Sequence, residues 1–171
     1  MNKMLKPTIT TLFVMIIVSG CYLPMSGTVI DAETKTPIEG AVVLVEWTKT
    51  KGIGFTYTES YKVGETLSDK EGKFKLPGCI CIAVNEPDIT IYKKGYIAWN
   101  NKYIFPYYKK RSKQAVEERL FMLERVRDNH SYVEHTSFIQ QTINSTIGNK
   151  PLMEKAIRWE ELNASSERDK R

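Results

Sequence analysis

Few residues in this chain have the types and spacing to do chemistry. Among its 171 residues are three cysteines and two histidines. Cys79 and Cys81 lie two apart in a segment that reads as β, where side chains at i and i+2 share a face. Their Cα atoms would then stand roughly 6.5–7 Å apart, at the edge of what a disulfide spans. A kink at Gly78 would let them bond; otherwise they are two small buried hydrophobes. As thiolate ligands they would need two further groups to enclose a zinc ion. His130 and His135 are the histidines on offer, and five residues apart they do not share one helical face. We therefore expect no metal site and no cofactor, and read both histidines as ordinary polar residues. The chain also lacks a His-x-x-Glu pair, so a histidine-based catalytic zinc site has no ligand set, and no enzyme is expected.

A second cluster is the run at residues 96–108 (YIAWNNKYIFPYY), followed by Lys109, Lys110, Arg111 and Lys113. Trp99, Tyr103 and Tyr107, with the side-chain amides of Asn100 and Asn101, have the chemistry of a sugar-stacking surface. Aromatics beside cations also suit a lipid headgroup layer. The competing reading is packing, because aromatic side chains near a β edge commonly fill cores and rims.

The third candidate is Cys21, and its context is more specific. Asn2, Lys3 and Lys6 form a short, positively charged start, and residues 8–18 (TITTLFVMIIV) are apolar. That length suits the core of a signal peptide and falls short of the ~20 residues a spanning helix needs. Small residues Ser19 and Gly20 precede Cys21. The string Val18-Ser19-Gly20-Cys21 resembles the lipobox of bacterial lipoproteins. The resemblance implies diacylglycerol on the Cys21 thiol, cleavage before it, and often acylation of the new amino group. Two or more acyl chains hold a membrane stably where one does not. Tyr22, where an aspartate would retain the protein at the inner membrane, implies outer-membrane sorting by the same resemblance. Residues 22–25 span at most about 14 Å, so the domain that follows should ride close to the bilayer. The formal net charge of +5 falls to +3 without residues 1–20, which remove Lys3 and Lys6 and no acid. With no concentrated basic stripe, nucleic acid is not an expected partner.

The elements that must position these residues read mainly as β. Residues 27–30 form a short β-rich run, and residues 31–40 a polar loop with Pro37 and Gly40. Residues 41–47 (AVVLVEW) are the strongest strand; they alternate poorly and should be central or buried on both sides. Phe55, Tyr57 and Tyr61 suggest a half-exposed strand. Residues 66–68, a turn over Asp69 to Gly72, and residues 73–76 give a hairpin signal. Residues 89–92 form another strand. Gly40 and Gly72 can supply positive φ, and Asp69 can accept from backbone amides two residues on.

Gly27-Thr28-Val29-Ile30-Asp31, then Pro37-Ile38-Glu39-Gly40-Ala41, resembles the opening of carboxypeptidase regulatory-like domains. Residues 66–74 are similar to that family's T-D-x-x-G-x-F segment, with Ser68 where it often has an acid. Ile89 to Tyr96 is similar to its closing strand and Gly-Tyr. The resemblance covers residues 26–97, apart from an insertion around residues 48–63. It implies a transthyretin-like or immunoglobulin-like β-sandwich of about seven strands, with no carboxypeptidase chemistry, which belongs to a separate zinc domain.

Beyond it, residues 114–127 fit either a helix or a last strand, and the resemblance favours the strand. Ser131 to Glu134 fits a capping box, with Tyr132, Thr136, Ile139 and Ile143 on one helical face. Pro151 suits the first turn of a second helix, with Leu152, Ala156 and Trp159 as its stripe. From Asn163 the chain reads as a frayed polar tail. The expected organisation is a signal peptide over residues 1–20, a lipidated tether over 21–25, a sandwich over 26–127, and a helical extension with tail over 128–171. The expected function is a non-catalytic cell-envelope lipoprotein serving as a binding, scaffold or assembly module. Its partners would be the membrane and an envelope protein or glycan. A carbohydrate-binding module built on the aromatic run is the alternative.

Overall fold

The computed structural model describes residues 24–79, 84–106, 109–111, 116, 118–127, 129–143 and 149–170. The chain is a β-sandwich with a helical layer on one outer face. Strands β1 (Met25–Asp31), β4 (Lys73–Leu76) and β9 (Leu120–Leu123) form one sheet in the order β4-β1-β9. Strands β2 (Val42–Lys51), β3 (Tyr57–Leu67), β5 (Asp88–Tyr92) and β6 (Trp99–Asn100) form the other, in the order β3-β2-β5-β6. A short ribbon, β7 (Tyr103–Ile104) with β8 (Lys109–Lys110), stands apart. Among the described residues the two main sheets hold seven strands, and residues 120–123 are a strand, paired parallel with β1.

The pattern that made residues 41–47 the strongest strand has a direct cause. Val43, Val45 and Trp47 point into the core between the sheets, against Val29, Phe74, Leu76, Phe121 and Leu123. Val42 and Leu44 point the other way and are covered by helices α1 (Tyr132–Thr142) and α2 (Pro151–Arg168). A strand covered on both faces has no polar side to alternate with.

Two motif glycines have steric reasons. At Gly72, φ is +72° and an added Cβ would lie 2.4 Å from the Val29 carbonyl oxygen. At Gly27 a Cβ would lie 2.3 Å from the Phe121 ring, which occupies the space a side chain would take. Asp31 explains why the opening and closing motifs occur together. Its Oδ1 accepts from the Glu33 and Thr34 amides, both at 2.9 Å. Its Oδ2 accepts from the Tyr96 hydroxyl at 3.1 Å and Arg125 Nε at 2.7 Å. The sandwich end is sealed by one carboxylate.

Three expectations need correction. The turn at Asp69 to Gly72 does not close a hairpin: β3 pairs with β2 and β4 with β1, so the turn carries the chain from one sheet to the other. Asp69 Oδ1 does accept from the Glu71 and Lys73 amides, at 3.0 and 2.7 Å. In α2 the buried stripe is Met153, Ile157, Glu160 and Ala164, turned by one residue from the expected Leu152, Ala156 and Trp159. The tail does not fray at Asn163; α2 runs to Arg168, with Ala164 wholly buried. Its Glu167 carboxylate accepts from Ser131 Oγ and the Val133 amide at the start of α1.

Candidate functional site

Among its described residues, the aromatic run does not present an open stacking face. Trp99 is buried, with its ring edge-on to Phe121 at 5.0 Å and the Arg111 guanidinium 4.7 Å from its centroid. Asn100 and Asn101 are also buried, and their amides work internally. Asn100 Nδ2 donates to the Ile89 carbonyl and Thr90 Oγ1, while its Oδ1 accepts from the Lys102 and Tyr103 amides. Asn101 Oδ1 accepts from the Ile89 amide and its Nδ2 donates to the Pro87 carbonyl. Groups committed to fixing loops cannot also read hydroxyls, because a buried amide that loses its partner carries the desolvation cost. Tyr103 is part-exposed, at the edge of a cleft of about 290 Å³ whose other walls are mostly charged. Tyr107 lies outside the described residues.

Cys79 is disulfide-bonded, which replaces the reading of a small buried hydrophobe. It offers no thiolate for metal or for nucleophilic work. Cys21 and Cys81 both fall outside the described residues.

The densest polar cluster sits where sequence reading dismissed it, between the helices and the sheet. His135 and Glu160 are both wholly buried. The Tyr92 hydroxyl donates to Glu160 Oε1 at 3.0 Å, and His135 Nδ1 stands 3.3 Å from Glu160 Oε2 in a bent contact. Burial first, then the Glu160 charge, raise the Tyr92 phenol far above its ordinary range, so it remains a donor. His130, one residue before the α1 cap, folds back with its ring edge-on to His135 at 4.7 Å. Burial, and then His135, lower its pKa, so it is neutral at neutral pH. It also lines a cleft of about 400 Å³ beside Phe105, Arg125 and Glu134.

One donor atom each from His130, His135 and Glu160 lies within 4.8 Å of the others, a set that in other settings holds zinc with one position open. The hydrogen bonding argues against that use. His135 Nε2 accepts from the Ala98 amide at 2.9 Å. A nitrogen that accepts carries no proton, so the neutral ring keeps its proton on Nδ1, toward Glu160. Coordination through Nδ1 would move that proton to Nε2, against the Ala98 N–H. Two hydrogen bonds, Tyr92 to Glu160 and the Ala98 amide to His135, tie the cluster to the sheet and to the backbone before β6, and the His135 and Glu160 side chains meet between them. The spacing rule missed it because His130 is not on the helix at all, and a loop residue is free to fold over a helical one.

Among the described residues, the most exposed apolar feature is the far end of the β2–β3 ribbon. Ile53 and Phe55 are fully exposed, Tyr57 is 61 % exposed and Tyr61 48 %. The ribbon continues to Lys51 and Tyr57, past the last β2–β5 pair at Glu46 and Asp88, so its end projects beyond the four-stranded sheet. Lys49 Nζ lies 3.5 Å above the Tyr61 ring, and Lys51 pairs with Glu59. The half-exposed strand expected from Phe55, Tyr57 and Tyr61 is therefore β3 together with the turn before it.

Among solved structures, the chain is similar to a double-mutant form of the shaft pilin SpaA from Lactobacillus rhamnosus GG. The identity is 17 % and the TM-score 0.33, over 64 % of this chain and 47 % of the pilin chain, so the match spans about half the pilin's length. No family model matches the sequence, and no curated protein does.

Proposed function

We propose that the protein is a lipid-anchored, non-catalytic module of the bacterial cell envelope, whose β-sandwich serves binding or assembly close to a membrane. The observation that carries this reading is the shortness of the tether. Met25 is already the first residue of β1, so only Tyr22, Leu23 and Pro24 separate the sandwich from the cysteine of the lipobox-like string. A rigid domain that begins there is held against whatever surface Cys21 is fixed to.

The non-catalytic part rests on how the chemistry-bearing side chains are used. Asp31, Asn100, His135 and Glu160 are buried and engaged in contacts that join elements of the fold. No helix among the described residues is long and apolar enough to cross a membrane.

Mass spectrometry of the chain extracted from membranes without reduction tests the anchor. A diacylglyceryl adduct on Cys21 is expected, with Cys79 bonded within the chain to Cys81. A non-reduced peptide joining Cys79 to Cys21 would overturn it, because a thiol in a disulfide cannot also carry lipid.

A further inference from the structure

We infer that the end of the β2–β3 ribbon is a membrane-contact element, in which Ile53 and Phe55 enter the lipid surface while Lys49 behind them meets anionic headgroups. The inference builds on the anchored reading above, which supplies the bilayer, and adds a second point of contact with it.

Three observations carry it, the first being direction. Asp31, at the end of β1, leads through a short loop to β2, and Ala41 and Ile38 meet Ser68 there. β2 then runs back along the sandwich. At the opposite end Met25 pairs with Leu76, and Lys62 Nζ donates to the Gly78 carbonyl at 2.9 Å. Lys62 is the partner of Trp47 in the ribbon. The N-terminal edge of the sandwich is therefore level with Trp47, and the ribbon grows outward from that same edge.

The second is reach. From Trp47 to Lys51 the ribbon advances by four residues, about 13 Å at the rise of a β-strand. The tether from Cys21 to Met25 reaches at most about 14 Å. A lipid on Cys21 and the tip of the ribbon can thus meet one plane, with the sandwich standing on both.

The third is chemistry. Residues 48–62 carry Lys49, Lys51 and Lys62 against Glu59 alone, so this segment has a net positive charge. At the turn, Gly52 and Gly54 flank Ile53, and Phe55 follows; neither large side chain is covered by the protein. Tyr57 and Tyr61 stand behind them, nearer the sheet. Apolar residues at the tip, with aromatic and cationic residues behind, match the order of acyl chain, interface and headgroup met on entering a bilayer.

The experiment uses the full chain, with Phe55→Trp as a reporter and Leu162→Trp as its control. Leu162 is also exposed, but it lies two residues past Glu160, whose partner Tyr92 pairs with Val42 at the start of β2, away from the tip. Each variant is reconstituted in vesicles of equal parts phosphatidylglycerol and phosphatidylcholine, with and without bromine on the acyl chains. The emission added by the tip tryptophan should shift to the blue and be quenched by bromine, while that added at position 162 should do neither. Tip emission that stays in water, or is shielded by a second protein chain rather than by lipid, overturns the inference. Intact mass of the same samples separates the two claims. A lipidated chain with an unquenched tip keeps the anchor and removes the contact. A chain without lipid whose tip is still quenched removes the anchor and keeps the contact.

Discussion

The four-stranded sheet is covered on both faces, but by different means. Toward the three-stranded sheet, Val43, Val45, Trp47, Ile89 and Ile91 meet Val29, Phe74, Leu76, Phe121 and Leu123, an apolar interface throughout. Toward the helices, Val42, Leu44 and Tyr92 meet Phe138, Ile139, Met153 and Ile157, with polar groups buried among them. Glu46, Thr90, His135 and Glu160 all lie below about 2 % exposure. The first face is held by area removed from water, which is strong and non-directional. The second adds directional bonds, such as Thr90 Oγ1 to the Thr142 carbonyl at 3.3 Å, that fix where α1 and α2 sit. The sandwich core asks only for apolar side chains on its inner faces, whereas docking a helix pair in one register needs partners that must be matched.

The largest expected effect probes the apolar face. Phe121 is buried against Phe74 and Trp99, with ring centroids 5.5 and 5.0 Å away, and covers Gly27. Phe121→Ala should cost about 3–5 kcal/mol, read as a fall in urea midpoint at unchanged slope. The polar face should respond differently. Glu160→Ala leaves the Tyr92 hydroxyl buried without its acceptor, at a cost of about 2–3 kcal/mol. Replacing both partners of that bond, with Tyr92→Phe and Glu160→Met and with His135 kept as the acceptor for the Ala98 amide, should recover most of that loss. Amide exchange in α2 should nevertheless quicken, because one of the bonds that set its register on the sheet is gone. A single Glu160→Ala variant as stable as wild type would show that the two faces are held alike.

How legible each face was follows from the same difference. Residues 41–47, the turn glycines and the closing strand could be read because β-branched runs and positive-φ positions have local causes. The sheet switch at Asp69 to Gly72 could not, since a four-residue turn looks alike whether the next strand pairs beside the last or crosses to the other layer. In α2, Glu160 concealed the buried stripe: a carboxylate among Met153, Ile157 and Ala164 breaks the apolar period. Its acceptance depends on Tyr92, 68 residues away in sequence. Trp99, Asn100 and Asn101 fitted either packing or a binding surface in the sequence, because residue types show what a side chain can bond, not what already occupies it. The ribbon end was visible as an insertion, but its position beside the N-terminal edge appears only once both sheets are assembled.

A smaller effect separates the capping of α1 from its packing. Ser131 Oγ accepts from the Glu134 amide at 3.3 Å and donates to Glu167, so it satisfies the helix start and ties down the end of α2. Ser131→Ala should cost about 1 kcal/mol, measured by urea denaturation. Ser131→Thr, which keeps the hydroxyl, should restore most of the loss.

The last comparison is between two buried carboxylates with opposite responses to pH. At the sandwich end, the Thr34 amide foremost, then the Glu33 amide, Arg125 and Tyr96, hold Asp31 well below its ordinary value of 3.8 against the opposing effect of burial. Beneath the helices, burial raises Glu46 above its ordinary 4.5, only partly offset by Lys150 and Ser60. A depressed pKa contributes stability that is present above the unfolded value and is lost as pH falls toward the folded one. A raised carboxyl pKa does the reverse: the fold carries a penalty while the group is ionised, relieved as pH falls through the folded value. From neutrality, acid should first stabilise the fold through Glu46, then destabilise it below about pH 4 as Asp31 begins to protonate in the unfolded chain. Melting temperature against pH should therefore peak in mild acid. Glu46→Gln should raise stability at neutral pH and remove the rise toward the peak, while Asp31→Asn should lower stability at neutral pH and flatten the fall on its acid side. If Glu46→Gln leaves the upper limb unchanged, the helical face carries no titrating charge that opposes folding, and the contrast between the two carboxylates is gone.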